Sequence, residues 1–384
     1  MRFGIGLAES RRISTGALFD TEAGNTFSEL LYTPNAAVTV TDSQVALNSA
    51  GAIDVPMTIP APDGVNPLYF CFTDWTMDAT FTVTSFPAAG TTGIFAAARD
   101  YIPASLDVMY GMRIASVGYS AAAALMSSIA GNAILEHTYT QDPIPATIRV
   151  RYRHDRENNQ VVHTVNVNGG ADIELTEPYG VGSLTAPTSF LAGVLRPQQG
   201  VLTCTKMKLT AAYPNARFAF LGDSLTLWPG TGYAWLLKAL YPDEVLIEAA
   251  SGSTTENWTG IVHSAVAMMP RWAFVCLGTN DFITARSLVD IQADYADILA
   301  ALEAADITPI IISSPPINNA DVVTFNTWLA GLGKRYIDIY STLKNPANNA
   351  LDAAYDSGDG VHWNDDGHIA VKNIIDAYIT AQGL

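Results

Sequence analysis

Four short stretches in the carboxyl-terminal part of the chain hold side chains whose types and order suit acyl transfer. Gly222-Asp223-Ser224-Leu225-Thr226 follows the apolar run Phe218-Ala219-Phe220-Leu221, so Ser224 falls just beyond the carboxyl end of a predicted strand. That edge is where open α/β sheets bind ligands. A serine hydroxyl becomes a nucleophile only with a base beside it, and Asp359-Gly360-Val361-His362 supplies one near the end of the chain. In this arrangement His362 takes the Ser224 proton, while Asp359 on the same loop orients the imidazole and stabilises its charged form. The developing oxyanion needs donors. Three candidates are the Ser224 N–H, the N–H of Gly252 in Ser251-Gly252-Ser253, and the Asn280 amide in Gly278-Thr279-Asn280-Asp281. Taken singly these are ordinary turn sequences. Their joint order, each after a predicted strand or on the loop before the last helix, carries the argument.

The neighbouring residues are read against blander roles. Asp356 shares the loop with Asp359 and is a rival orienter, but the three-residue spacing to His362 favours Asp359. Asp223 and Asp281 adjoin turns and are expected to hold backbone N–H groups. Trp228, Trp258 and Trp363, three of the seven tryptophans, lie close in sequence to the motifs. They are candidate substrate contacts, because aromatic faces stack on sugar rings, with ordinary packing as the alternative. Trp235 and Trp328 fall within helical patterns and read as core. His137, His154, His163, His263 and His368 show no ligand spacing, so no metal site is expected and no organic cofactor is implied.

The elements that must hold these residues change character along the chain. Up to about residue 212 the pattern has period two, broken at short intervals by Gly, Pro, Asn and Asp, which predicts an antiparallel β-sandwich. The clearest predicted hairpin pairs 147–153 with 161–168, with Ile148, Val150 and Tyr152 on one face and Arg149, Arg151 and Arg153 on the other. Further strands are predicted at 79–86, 93–98, 110–115, 133–140, 190–195 and 201–211. After Tyr213-Pro214-Asn215, apolar strands at 218–221, 245–247, 273–277, 309–313 and 336–339 alternate with helical patterns at 233–240, 288–304, 321–334 and 366–381. Such alternation predicts a parallel sheet covered on both faces. The domains expected are therefore 1–212 and 213–384.

Residues 217–384 resemble an SGNH (GDSL-type) hydrolase. The family's four blocks correspond to Gly222-Asp223-Ser224-Leu225, Gly252, Gly278-Thr279-Asn280-Asp281 and Asp359-Gly360-Val361-His362. The resemblance implies a flavodoxin-like three-layer α/β fold, with Ser224, His362 and Asp359 as the triad and Ser224, Gly252 and Asn280 as the oxyanion hole. The Gly-Asp-Ser turn also differs from the Gly-x-Ser-x-Gly elbow of α/β-hydrolases. The amino-terminal half more loosely resembles a concanavalin-like jelly roll, through residues 75–81, the hairpin ending Val165-Asn166-Val167-Asn168-Gly169-Gly170, and the closing strand 201–209. Such sandwiches serve as glycan-binding modules or as plain scaffolds.

Composition bounds the partners. With 20 Lys+Arg against 37 Asp+Glu, the net charge of −17 repels a phosphate backbone and an anionic membrane surface, so neither nucleic acid nor membrane is an expected partner. Both halves share the excess: 12 basic and 18 acidic residues in 1–212, and 8 and 19 in 213–384. Neutral or cationic substrates are favoured over phosphorylated or sulfated ones. No apolar run reaches the ~20 residues of a membrane helix, and Glu9, Arg11 and Arg12 break the weakly apolar start, so neither a membrane segment nor a signal peptide is expected. Location and oligomeric state stay open. Cys71, Cys204 and Cys276 sit in apolar or strand-like runs and read as buried thiols, with a Cys71–Cys204 bridge left open.

The expected activity is a serine esterase that removes short acyl groups, most simply acetyl, from a carbohydrate or other small ester. Two alternatives stand beside it: lipase-like or thioesterase action on longer acyl chains, and a glycan-binding or structural surface protein, such as a phage tail component, with an accessory hydrolase domain.

Overall fold

The computed structural model describes residues 17–49, 55, 57–70, 75–85, 91–99, 107–115, 118–122, 133–138, 145–155, 160–178, 191–197, 200–211, 216–228 and 230–384. The amino-terminal domain holds two antiparallel sheets. One runs in the order Ile173–Pro178, Gln160–Val167, Ala146–Asp155, Trp75–Ser85, Gly200–Ala211, Gln44–Ser49 and Val38–Thr41, with Ala17–Asp20 also on Gly200–Ala211. The second runs Ala133–Thr138, Gly118–Ala122, Asp107–Ala115, Thr91–Arg99, Leu191–Pro197 and Met57–Thr58, with Tyr69–Phe70 also on Leu191–Pro197. The hairpin read from alternation is present, with Ile148 opposite Val167 and Arg153 opposite Val162.

Alternation sets the burial in the first sheet. Trp75, Met77, Ala79, Phe81 and Val83 are buried, as are Ile148, Val150 and Tyr152 on the adjoining strand. The arginines of the opposite face stay at the surface, where Arg149 and Arg151 share Asp78 of the neighbouring strand at 2.5 and 3.1 Å. Cys204 and Cys276 are buried free thiols; Cys71 and the expected seam at 213–215 lie outside the described residues.

The carboxyl-terminal domain is a five-stranded parallel sheet. Its strands are β1 (Phe218–Gly222), β2 (Val245–Ala249), β3 (Trp272–Cys276), β4 (Thr308–Ile312) and β5 (Arg335–Ile337), in the spatial order β2-β1-β3-β4-β5. The helices are α1 (Ser224–Leu227), α2 (Tyr233–Leu240), α3 (Thr255–Met268), α4 (Thr279–Ile283), α5 (Leu288–Ala304), α6 (Asp321–Gly331), α7 (Tyr340–Leu343) and α8 (Asp365–Gln382). Apart from the buried Glu248 of β2, Thr308 at the start of β4 and Arg335 at the start of β5, the strands are apolar on both faces because both faces are covered. Phe218, Phe220, Phe274 and Ile310 pack with Tyr233 and Leu237 of α2 and Val371 and Ile375 of α8. Ala219, Leu221, Val275 and Ile311 pack on the other side with Ile261 of α3, Tyr295 of α5 and Phe325 of α6. The result is three layers, α/β/α.

Helix α3 was not anticipated from sequence. Its apolar stripe, Trp258, Ile261, Val262, Ala265 and Met268, has helical spacing, and Thr254 caps it in a box with Asn257. Its outer side meets the segment between Met57–Thr58 and Tyr69–Phe70. The Tyr69 N–H donates to Ser264 Oγ at 2.7 Å, and His263 Nε2 lies 3.4 Å from Asp63 Oδ2. Among the described residues no helix is long and apolar enough to cross a membrane.

Candidate active site

Ser224 is the first residue of α1, at the carboxyl end of β1, an interior strand between β2 and β3. Only glycine fits at 222: a Cβ there would collide with the Thr226 side chain and lie 2.9 Å from the Cys276 carbonyl oxygen. Asp223 caps α1 by accepting the Leu225 N–H at 3.0 Å. Its carboxyl group is enclosed and its pKa is pushed up to about 7, chiefly by burial.

The loop before α8 brings the base to the serine. Ser224 Oγ lies 3.0 Å from His362 Nε2, and His362 Nδ1 lies 2.6 Å from Asp359 Oδ2. Asp359 Oδ1 accepts the N–H groups of Val361 and His362 at 2.9 and 2.8 Å, so the carboxylate is fixed by the loop it belongs to. Burial works against the Asp359 charge, but the His362 ring and these two N–H groups outweigh it and hold the carboxyl at about 2. Asp356 has a different task. Its Oδ1 accepts the N–H groups of Gly358 and Gly360 at 2.8 and 3.0 Å, which folds the loop.

The three expected oxyanion donors sit on loops that are tied together. Gly252, at φ +76°, forms the turn after β2, closed by Ser253 N–H to the Ala250 carbonyl at 3.2 Å. Asn280 Nδ2 donates to the Ser253 carbonyl at 3.0 Å and to Asp223 Oδ2 at 3.3 Å, linking the third loop to the second and the first. Asp281 is fully buried and accepts Thr255 N–H at 3.0 Å and Thr255 Oγ1 at 2.7 Å, so it holds the first turn of α3.

The tryptophans divide. Trp258 and Trp363 are fully buried, and their enclosure corrects the expectation that they present ring faces to a substrate. Trp258 Nε1–H donates to Ser253 Oγ at 3.1 Å, behind the second loop. Trp363 packs between Tyr233 and His368, anchoring the chain next to His362 in the core. Trp228 is only partly buried, and its ring lies 5.8 Å from that of His362 and 5.5 Å from that of His368. Burial, reinforced by the charge of His362 and opposed by Asp365, depresses His368 to about 4, so a neutral imidazole backs Trp228.

Sequence reading missed Arg286. Its Nη1 lies 2.6 Å from Asp281 Oδ1 and 2.9 Å from Thr255 Oγ1, and its Nη2 lies 2.7 Å from Asp294 Oδ2. No local motif marks it, because the partners come from α3, α4 and α5.

A serine, histidine and aspartate in one hydrogen-bonded line at the carboxyl edge of a parallel sheet is the frame of a serine hydrolase. Residues 220–370 match the GDSL-like Lipase/Acylhydrolase family, and this part of the chain is a GDSL (SGNH) hydrolase domain. No curated protein matches the chain. Among solved structures, a GDSL-like lipase from Bacteroides thetaiotaomicron is similar at 16% identity and a TM-score of 0.39, covering 44% of this chain and 89% of that one. An acetylxylan esterase from Geobacillus stearothermophilus is similar at 18% identity and a TM-score of 0.37, covering 43% and 96%.

Proposed function

We propose that the protein is a serine esterase that hydrolyses short-chain acyl esters, most simply acetyl esters, carried on a carbohydrate. The observation that carries this reading is the continuous line from Ser224 Oγ to His362 at 3.0 Å and from His362 to Asp359 at 2.6 Å. Ser224 Oγ attacks the ester carbonyl as His362 Nε2 takes its proton, and the Ser224 and Gly252 N–H groups donate to the oxyanion together with the Asn280 amide, which gives up its long bond to Asp223 Oδ2 at 3.3 Å to do so. Collapse of the intermediate expels the alcohol oxygen, protonated by His362. Water, deprotonated by the same imidazole, then releases the acid and restores Ser224. Asp359 stays ionised throughout, and its low pKa supports that role.

Exposure supports a bulky leaving group. The side chains of His362 and Asp359 are 31% and 52% exposed, so the reacting line opens directly to solvent and admits an ester on a polymer. Trp228 offers a partly exposed indole beside the triad, and the charge of −17 disfavours phosphorylated or sulfated polymers. In the same reading, residues 1–212 form a concanavalin-like sandwich, as a glycan-binding module or scaffold, beside the hydrolase domain at 213–384.

The test is acetate release by the whole chain from a panel of acetylated polysaccharides, together with a p-nitrophenyl ester series of increasing acyl length. The expected outcome is turnover that falls steeply beyond short acids and drops by at least about 10³-fold in Ser224→Ala. Full activity in Ser224→Ala would falsify the mechanism, and a preference for long acyl chains would replace the acetyl substrate with a lipid-like one.

A further inference from the structure

The donors of the expected oxyanion hole come from separate segments, and beside the direct bond from Asn280 Nδ2 to the Ser253 carbonyl at 3.0 Å these segments share an ionic cluster outside the triad, centred on the buried Asp281. Asp281 adjoins Asn280 in α4, and Thr255 begins the helix that follows the Gly252 turn. The Asp281 carboxylate is bonded to both the N–H and the hydroxyl of Thr255, at 3.0 and 2.7 Å. A fully buried carboxylate in this position needs a compensating charge. Arg286 supplies it at 2.6 Å, and the same guanidinium also donates to Thr255 Oγ1 at 2.9 Å. It therefore grips α3 and α4 simultaneously. Its other arm reaches Asp294 of α5 at 2.7 Å, while Glu256, 3.7 Å away and largely exposed, adds little. The Arg286 N–H also bonds the Asp281 carbonyl at 2.9 Å, locking the guanidinium's root to the helix it braces.

We propose that Arg286 is a positioning residue for the oxyanion hole: by clamping Asp281 to Thr255 it sets the distance between the Asn280 amide and the Gly252 N–H. This rests on the esterase reading above. Donors aimed at a transition-state oxyanion tolerate little displacement, so loosening the clamp lowers kcat while leaving ground-state binding nearly intact. The planar fork that meets Asp281, Thr255 and Asp294 together is not reproduced by a lysine, which recovers charge without geometry.

The experiment is a double-mutant cycle on p-nitrophenyl acetate with Arg286→Met and Asn280→Ala, each scored for kcat and KM, alongside Arg286→Lys and Asp294→Asn. Expected are a loss in kcat of roughly 10- to 100-fold in Arg286→Met with KM within about twofold, partial recovery in Arg286→Lys, and a smaller loss of the same kind in Asp294→Asn. The Arg286→Met/Asn280→Ala pair should be no slower than Asn280→Ala alone, within about threefold, because both act on one donor. Losses that multiply, or an unchanged kcat in Arg286→Met, overturn the proposal. If Arg286→Met does not fold, Arg286→Lys and Asp294→Asn in the same cycle decide it by the same criteria. Ser224→Ala separates the two levels: full turnover there refutes the esterase reading itself, whereas its loss beside an unaffected Arg286 variant refutes only the clamp.

Discussion

His362 is held from two sides, by Asp359 at Nδ1 and by the Trp228 ring at 5.8 Å. An aromatic face beside an imidazole that becomes charged during turnover favours the charged form, by about 0.5–2 kcal/mol depending on exposure. Replacing Trp228 by leucine removes the face while keeping an apolar side chain. The expected result is a kcat on p-nitrophenyl acetate lower by roughly 3- to 30-fold, largely restored in Trp228→Phe, with unchanged activity in Trp228→Leu counting against the role. The sequence shows this position only as a tryptophan near the nucleophile. Whether such a ring faces substrate, histidine or core depends on which way the chain turns after it, and Trp258 and Trp363, equally close to their motifs, turn inward. Ser224, Asp359 and His362 could be picked out because a strand end and a three-residue spacing are local features. Arg286 could not, since its meaning lies in Thr255 and Asp294, which only folding brings to it.

Helices α2 and α5 have the limits their patterns predict, and the five parallel strands fall within a residue or two of the expected runs. Elements of other kinds escape pattern reading. Helices α1, α4 and α7 are too short to show a period, and the two-residue strands Met57–Thr58 and Tyr69–Phe70 are defined by pairing with Leu191–Pro197, Thr58 also bridging to Leu31. Helix α3 hides its stripe behind Gly260 and a Thr- and Asn-rich first turn, both poor helix signals. Gly260 itself is explained by the opposite wall, since a Cβ there would stand 2.9 Å from Asn66 Oδ1. Gly278 is the corresponding constraint on α4: φ is +114°, and a Cβ would lie 2.9 Å from the Phe325 ring. Gly278→Ala therefore combines backbone strain of about 1–3 kcal/mol with displacement of the helix that carries Asn280. A melting temperature lower by on the order of 5 °C and a reduced kcat should appear together. A variant that melts lower yet keeps its kcat would show that α4 tolerates the shift.

The two domains meet where the 57–70 segment lies on α3, the helix whose first turn Asp281 and Arg286 hold, so the amino-terminal domain braces the same element that follows the Gly252 turn. Much of that contact is polar. Burial disfavours the Asp63 charge, but hydrogen bonds from the Asn66 side chain and from the Val65 and Asn66 N–H groups outweigh it, with the nearby His263 adding to them, and lower the Asp63 pKa below its ordinary value. A carboxyl whose folded pKa lies below the unfolded one contributes stability that is present above the unfolded pKa, near 4, and is lost as pH falls through the folded value. The interface should therefore loosen in acid, and Asp63→Asn should abolish that part of the pH dependence while lowering stability at neutral pH. Thermal unfolding of the wild-type chain and Asp63→Asn, followed between pH 7 and 3, checks this: the gap in melting temperature should be widest at neutral pH and close toward pH 3. A gap that stays constant across the range would mean that Asp63 contributes through packing and not through its charge. A gap that widens in acid would reverse the sign of the linkage and remove Asp63 from the forces that dock the two domains.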